Sequence, residues 1–247
     1  MRLSDKNEIR SILHRDPRWC VYALGDLTPR LFHKCHWFTP DLTLVLHEYG
    51  TSILFAMGTG SIAEALEEVT WPAHLQVQED ALAKVAWHAN VSSQQRMWRM
   101  TFEGAALPPP LTEGVSRLSM ADSPAIDKLY ADGEATGENP DFFYAAMLKD
   151  GVFFGVYEDN DLIAAAGTHL VARDENVAAI GNIYVRRDRR GRGLGRLVTA
   201  AVLAELHGIQ TIGLNVRADN AAAIHVYESL GFVKHCEFIE ALATRRA

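Results

Sequence analysis

From residue 115 onward, the apolar positions alternate between the period of a strand and the period of a helix. Ile183, Tyr184 and Val185 are β-branched or aromatic residues, which favour a pleated strand. Farther on, apolar residues recur at i, i+3, i+4, i+7 and i+8, the spacing of an amphipathic helix. They are Leu194, Leu197, Val198, Ala201 and Val202. We therefore predict a strand and a helix joined by a short loop.

The same reasoning predicts the other elements of this half. They are a strand at 115–119, helices at 123–132 and 140–149, a polar loop at 133–139, a hairpin of 152–157 with 162–171 across 159–161, strands at 177–185 and 211–216, a helix after Asn220, and a last strand from 232 to about 242.

The first hundred residues predict a separate α/β unit. Its expected elements are a helix at 5–15, strands at 42–47 and 52–57 joined near Gly50, a helix at 61–69, a strand at 75–78, a helix at 79–88 and a strand at about 95–102. Ser61 and Glu64 have the spacing of a capping box. Three prolines within 107–114 favour an extended linker. We place the domains at 1–106 and 115–247, with 107–114 between them.

Composition and charge limit the classes of function. The chain of 247 residues is 48% hydrophobic and 22% charged, with a net charge of −7, so general nucleic-acid binding is not expected. The first ten residues have no apolar core and no run is long enough for a membrane span, so we expect neither a secretory signal nor membrane insertion. Three scattered cysteines and the segment His33-Lys34-Cys35-His36 fit no zinc pattern. We expect a reduced, cytoplasmic protein without a metal.

The loop before the predicted helix has the features of an anion site. Arg190-Gly191-Arg192-Gly193-Leu194-Gly195 places glycines and free backbone N–H groups at a helix N-terminus, which suits a phosphate or diphosphate. The dinucleotide pattern fails because Arg196 stands at its third glycine, and the Walker Gly-Lys-Ser/Thr triplet does not occur. The pattern Arg-x-x-Gly-x-Gly is met by Arg190, Gly193 and Gly195.

This loop resembles the acyl-CoA diphosphate loop of the GNAT superfamily of N-acyltransferases. A second match follows about thirty residues later, where the superfamily has Asn-x-x-Ala-x-x-x-Tyr and then Gly-Phe. The matching residues are Asn220, Ala223, Tyr227, Gly231 and Phe232. The resemblance covers residue 115 to the C-terminus. It implies the GNAT fold, a mixed and mainly antiparallel central sheet flanked by helices, here preceded by the smaller α/β domain, which we interpret as a degenerate GNAT-like domain.

The resemblance also implies an activity, the transfer of an acetyl group from acetyl-CoA to an amine by direct attack on the thioester. The implied cofactor-binding residues are Ile183, Tyr184, Val185, Arg190, Gly191, Arg192, Gly193, Leu194, Gly195, Arg196, Asn220 and Tyr227. Tyr227 is the implied general acid for the departing thiolate, although its ring shares a face with apolar neighbours and could simply pack. The oxyanion would be met by backbone N–H groups near Val185.

The general base stays open at this stage. Several GNAT enzymes have a glutamate on the strand before the loop, where this chain has Ala178, Ala179 and Ile180. The candidates are Glu134, Glu138, His169, whose imidazole titrates near neutral pH, and a water held by Asn182. The acceptor is a small-molecule or peptide amine, and a homodimer stays open. The alternatives are a non-catalytic acyl-CoA sensor and, using the six arginines of 186–196, a nucleic-acid-binding module.

Overall fold

A computed structural model describes residues 1–48, 50–109, 114–140 and 142–246. These residues divide into two units that alternate along the chain. The first unit comprises residues 1–99, 216–220 and those from 234 onward, and the second comprises 100–215 and 221–233. Part of the predicted linker, residues 110–113, lies outside the described residues, and the predicted domain boundaries stay a prediction.

The first unit contains the elements predicted for the N-terminal half together with further short strands and helices, before residue 39, that were not predicted. They are β1 (Arg2–Leu3), α1 (Lys6–Leu13), α2 (Val21–Gly25), α3 (Pro29–Phe32), β2 (Cys35–Phe38), β3 (Thr43–Glu48), β4 (Thr51–Ala56), α4 (Ile62–Glu67), β5 (Ala73–Val77), α5 (Glu79–His88) and β6 (Ala89–Phe102), whose last residues belong to the second unit. The strands follow the order β1-β2-β3-β4-β5, with β4 and β5 parallel and the other neighbours antiparallel.

The second unit follows the order of elements predicted for the C-terminal half. It contains β7 (Ser116–Arg117), α6 (Ser123–Glu134), α7 (Met147–Asp150), β8 (Phe154–Glu158), β9 (Asp161–Ala172), β10 (Val177–Val185), α8 (Leu194–Ala204), α9 (Ala221–Ser229) and β11 (Thr211–Arg217), whose last two residues belong to the first unit. Its strands follow the order β11-β10-β9-β8-β7, and β10 and β11 are its parallel pair. The predicted fold class, a mixed and mainly antiparallel sheet flanked by helices, is confirmed.

The last strand, β12 (Phe232–Arg245), starts in the second unit and continues into the first. There its residues Ile239 to Ala243 pair antiparallel with Val77 to Ala73 of β5. The end of the chain therefore completes the sheet of the first unit. A reading of the sequence from one end to the other could not show this, because the two strands are far apart in the chain.

The predicted capping box at the start of α4 is wrong. The hydroxyl of Ser61 donates instead to the carbonyl oxygen of Asp41 at 2.9 Å and lies 2.8 Å from the hydroxyl of Thr43. Glu64 forms an ion pair with the amino group of Met1. Ser61 is buried, and nearby carbonyl groups that need donors take its hydroxyl away from the helix.

The predicted helix at 140–149 is also largely wrong. Asp141 lies outside the described residues, 142–146 are not helical, and only the short α7 forms. The ring of Phe143 packs edge-to-face on Tyr130 and Phe153, with ring centroids 5.4 and 6.0 Å apart. Burying this aromatic ring holds the segment in a non-helical path, so tertiary packing overrides the local helix pattern.

The β8–β9 hairpin turns tightly through Asp159 and Asn160, whose φ angles are +50° and +69°. Two left-handed residues are typical of the type I′ turn that matches the twist of a hairpin. The turn brings Glu158 and Asp161 to one end of the sheet. No helix among the described residues has the length and apolar character needed to cross a membrane.

Candidate functional site

The loop between β10 and α8 is open at the N-terminus of the helix. Gly191 and Gly193 both have a φ of +77°, in the left-handed region that favours glycine, and Gly193 is the N-cap of α8. A Cβ placed on either glycine would have no atom within 4 Å. The loop therefore presents its backbone, without a covering side chain, to a ligand.

The first N–H groups of α8 point toward this opening. Leu197 donates to the carbonyl oxygen of Gly193 at 3.0 Å, so the N–H groups of Leu194, Gly195 and Arg196 precede the first hydrogen bond within the helix. The helix dipole adds partial positive charge at the same place. A Cβ on Gly195 would make an ordinary contact with Val185, at 3.5 Å, so the start of α8 lies next to the end of β10. The N–H groups and the left-handed glycines fit a diphosphate.

Carboxylates surround the arginines of this loop. Arg186 pairs with Asp188 at 2.7 Å, Arg187 with Asp132 at 3.5 Å, Arg189 with Glu158 at 2.5 Å, Arg190 with Glu138 at 3.1 Å and Arg192 with Glu158 at 3.8 Å. Among the residues that the structure describes, these pairs balance much of the positive charge that the sequence concentrates here.

A β-bulge lies on β10, with its first bulged residue four positions before the loop begins at Arg186. Gly181 pairs with Gly167 and Tyr184 with Ala165, so two residues of β10 stand against one of β9. Asn182, the first bulged residue, has a φ of +54°. The parallel pairing of β10 with β11 runs only as far as Ile180, so β10 leaves that neighbour at the bulge.

The side chain of Asn182 is buried at the bulge. Its amide nitrogen lies 3.6 Å from the sulfur of Met147, and its side-chain oxygen has no hydrogen-bond partner in the described part of the chain. The hydroxyl of Tyr130 donates to the backbone oxygen of Asn182 at 2.7 Å. A buried amide oxygen without a partner is costly, so a buried water is the expected partner.

His169 lies beside the same bulge. A Cβ on Gly181 would be 2.3 Å from two ring atoms of His169, so the imidazole occupies the space directly over this glycine. Because Gly181 directly precedes Asn182, the half-buried ring of His169 lies next to the bulge. The imidazole of His169, one of the predicted candidates for a base, thus lies at the point where β10 leaves β11.

The comparisons with known proteins agree with this geometry. The model of the Acetyltransferase (GNAT) family matches residues 118–232. The ribosomal protein bS18-alanine N-acetyltransferase of Salmonella typhimurium is 37% identical over 120 residues, which are 48% of this chain and 79% of that protein.

The chain belongs to the GNAT acetyltransferase family.

Two further comparisons agree with this, one in sequence and one in fold. The mycothiol acetyltransferase of Streptomyces coelicolor is 41% identical over 88 residues, which are 34% of this chain and 27% of that protein. A solved structure of a GNAT-family protein from Novosphingobium aromaticivorans has the same fold, with a TM-score of 0.67 at 22% identity, and the match covers 92% of this chain and 97% of that one. The predicted enzyme class, an acyl-CoA-dependent acetyltransferase, is confirmed, and a non-catalytic sensor is not favoured.

Tyr227, the residue implied as general acid, lies on α9 of this GNAT domain. It is buried, and its ring packs edge-to-face on Phe232 with centroids 6.3 Å apart. Burial raises the pKa of its hydroxyl above the ordinary value for tyrosine, so the group is neutral at pH 7 and is a weaker acid than an exposed tyrosine. Asn220 lies directly before α9, and its N–H donates to the carbonyl oxygen of Arg217 at 3.0 Å.

The two glutamate candidates have different surroundings. Glu134 is the last residue of α6 rather than part of a loop, and it is exposed. Glu138 follows in the loop and holds Arg190 through both of its oxygens. The hydrogen bonds from Arg190, and then from Thr136, lower the pKa of Glu138.

Sequence reasoning missed Asp132 and the bulge. Asp132 accepts hydrogen bonds from the Tyr184 hydroxyl at 2.9 Å and from the backbone N–H of Arg187 at 3.0 Å, so it fixes the start of the loop to α6. These contacts depend on tertiary structure and left no local signal. The bulge did leave a local signal, because Gly181-Asn182 inside a strand pattern indicates a break in the hydrogen bonding between strands.

Proposed function

We propose that this GNAT protein moves the acetyl group of acetyl-CoA to a primary amine, and that residues 190–196 hold the diphosphate of the cofactor. The observation that carries the proposal is the open glycine loop at the N-terminus of α8. Its left-handed glycines leave backbone donors uncovered where the helix dipole favours an anion.

The cofactor site extends on both sides of that loop. The N–H groups of Gly191 to Arg196 hold the diphosphate oxygens, and Arg190 and Arg192 add charge-assisted hydrogen bonds. The part of the cofactor between the diphosphate and the thioester lies along Ile183, Tyr184 and Val185, because these residues connect the bulge to the loop. Asn220 and Tyr227 complete the set. Acetyl-CoA supplies the activated acetyl group as a thioester.

The residues near the bulge handle the protons. We assign the removal of the amine proton to His169, because its ring lies over Gly181 where β10 separates from β11. Exposed Glu134 is the second candidate. Tyr227, whose hydroxyl is protonated at neutral pH, delivers a proton to the departing thiolate.

The acceptor is a small-molecule or peptide amine. Relatives of both kinds match the chain, one named for an alanine of ribosomal protein bS18 and one for mycothiol. The first unit, which we propose to be a degenerate GNAT-like domain, has no Arg-x-x-Gly-x-Gly loop. We also propose a cytoplasmic location, supported by the free thiols of Cys20, Cys35 and Cys236.

Two measurements test the proposal. Calorimetric titration with coenzyme A should show one binding event, and release of free thiol from acetyl-CoA should require an amine. The amine panel should contain a peptide that begins with alanine, free amino acids and small primary amines. Absence of coenzyme A binding would contradict the cofactor site, and binding without turnover on every amine would favour the sensor.

The proton assignments need a separate test. His169→Gln should lower turnover most at neutral pH and remove the corresponding limb of the pH profile, whereas Glu134→Gln should leave that limb in place. The opposite pattern would move the base to Glu134. Unchanged profiles in both variants would leave neither residue as the base and would favour a water held by Asn182.

A further inference from the structure

The loop that follows α6 folds back on the end of its own helix. The carbonyl oxygen of Gly133 accepts the N–H groups of Thr136 and Glu138, each at 3.1 Å. A Cβ on Gly133 would lie 2.7 Å from the backbone nitrogen of Asn139 and 2.9 Å from the ring of Tyr184. Only glycine permits this close return, so the position of the loop is defined by its backbone rather than by exposed side chains.

This return places the carboxylate of Glu138 against Arg190. The two terminal nitrogens of Arg190 donate to the two oxygens of Glu138 at 3.1 and 3.3 Å, and the hydroxyl of Thr136 adds a hydrogen bond at 2.9 Å. The guanidinium lies over the ring of Tyr184, 5.5 Å from its centroid, and its Nε donates to the carbonyl oxygen of Val185 at 3.2 Å. Arg190 is therefore oriented by the strand and the ring, and its outer edge is taken by a carboxylate.

A carboxylate and a phosphate compete for this edge because both accept two parallel N–H bonds from a guanidinium. We propose that Glu138 sets the affinity of the diphosphate site, by occupying the edge of Arg190 that the cofactor takes when it binds. The inference rests on the proposed cofactor site. Binding of the diphosphate then releases Glu138, and the segment 134–139 loses its contact with the cofactor loop.

The effect on affinity follows from the exposure of the pair. Both side chains are 43% exposed, so their ion pair is partly screened by solvent. Exposed pairs of this kind are weak, and removing the competitor should tighten cofactor binding by about two- to fivefold at low salt. The gain should shrink as ionic strength rises, because salt screens the competing charge as well.

Calorimetric titration of coenzyme A into the full chain tests this proposal. Glu138→Gln keeps the size of the side chain and removes its charge. Asp161→Asn is the matched control, since it removes one negative charge near the same arginine cluster but pairs with Lys128 and Arg186 instead of Arg190. We expect Glu138→Gln to bind more tightly than wild type and Asp161→Asn to bind like wild type.

The outcomes separate this proposal from the proposed function. If wild type binds coenzyme A and Glu138→Gln binds equally or more weakly, Glu138 is not a competitor and the proposal is overturned, whereas the cofactor site stands. An equal gain in both variants would show a general charge effect and would also overturn it. If wild type does not bind coenzyme A, the proposed cofactor site itself fails.

Hydrogen exchange of the wild-type protein gives a second readout that needs no variant. The N–H groups of Thr136 and Glu138 are hydrogen-bonded to Gly133 in the free protein, and we expect them to exchange faster when coenzyme A is present. A purely structural role for the Glu138–Arg190 pair would leave their exchange unchanged or slower, and that result would contradict the proposal.

Discussion

The proposed cofactor loop can be tested by comparing two glycines, one before helix α8 and one after it. Gly193 before the helix has a φ of +77°, and Gly208 after it has a φ of +80°. A Cβ on either glycine would have no atom within 4 Å. Alanine at either position therefore meets the same backbone strain and no steric clash. The two substitutions differ only in whether the added methyl group faces the proposed diphosphate.

The expected losses of stability and of cofactor affinity follow from this matched backbone strain. Placing a non-glycine residue in the left-handed region costs about 1–2 kcal/mol, so both variants should lose similar stability. Each charge-assisted hydrogen bond to the diphosphate contributes about 1.5–3 kcal/mol. Losing one of them to the methyl group of Gly193→Ala should weaken coenzyme A binding about 10- to 150-fold. Gly208→Ala should bind the cofactor as wild type does.

The assay combines thermal unfolding without ligand and calorimetric titration with coenzyme A. Similar melting temperatures in the two variants would confirm that their backbone cost is matched. The reasoning would be refuted if Gly193→Ala bound coenzyme A like wild type, because the diphosphate would then not lie over that glycine. Equal losses of affinity in both variants would indicate a general effect of the strained helix instead.

Three further predictions concern single residues. Tyr227→Phe should lower turnover by about 100-fold or more, the range of a general acid, and leave the Kd for coenzyme A unchanged. Steady-state kinetics and calorimetric titration measure the two quantities, and unchanged turnover would remove Tyr227 from the mechanism. Gly181→Ala should destabilise the fold by about 1–3 kcal/mol, because its Cβ would lie 2.3 Å from the ring of His169. In urea unfolding, adding His169→Ala should restore most of the lost stability, and a Gly181→Ala variant as stable as wild type would contradict this contact. Burial raises the pKa of Asp26 in the first unit to about 7, so between pH 4 and 7 the folded state keeps a proton that the unfolded state releases, and stability falls as the pH rises. Asp26→Asn should therefore stabilise the protein at pH 8, by up to about 4 kcal/mol, with little effect at pH 4; an equal difference between the two proteins at both pH values would be evidence against this assignment.

The cofactor loop could be predicted from the sequence because its geometry is local. Left-handed glycines, a helix N-terminus and a strand end are all defined within about a dozen consecutive residues, and each has its own sequence signal. The structure has Gly193 as the N-cap of α8, within the loop that the glycine pattern indicated. The order of elements in the GNAT domain was predictable for the same reason.

The polar contacts of the site could not be predicted, because they join residues that are distant in the chain. Tyr184 and Asp132 are 52 positions apart, as are Arg190 and Glu138. The same cause explains the capping box that did not form. The hydroxyl of Ser61 is also 2.8 Å from the hydroxyl of Thr43, 18 residues earlier, and no local rule takes such a partner into account. Residues that act through their side chains could therefore be identified only from the fold, whereas residues that act through their backbone could be predicted from the local sequence.

This division between backbone and side chain also bears on which anion the loop selects. Five of its six arginines are within ion-pair distance of a carboxylate in the described part of the chain: Arg186, Arg187, Arg189, Arg190 and Arg192. A nucleic acid would need these side chains free along an extended basic surface. A compact diphosphate needs only the N–H groups of one helix start and one or two arginines. The paired arginines thus weaken binding of long polyanions while the backbone donors stay open, and the geometry favours a cofactor over a nucleic acid.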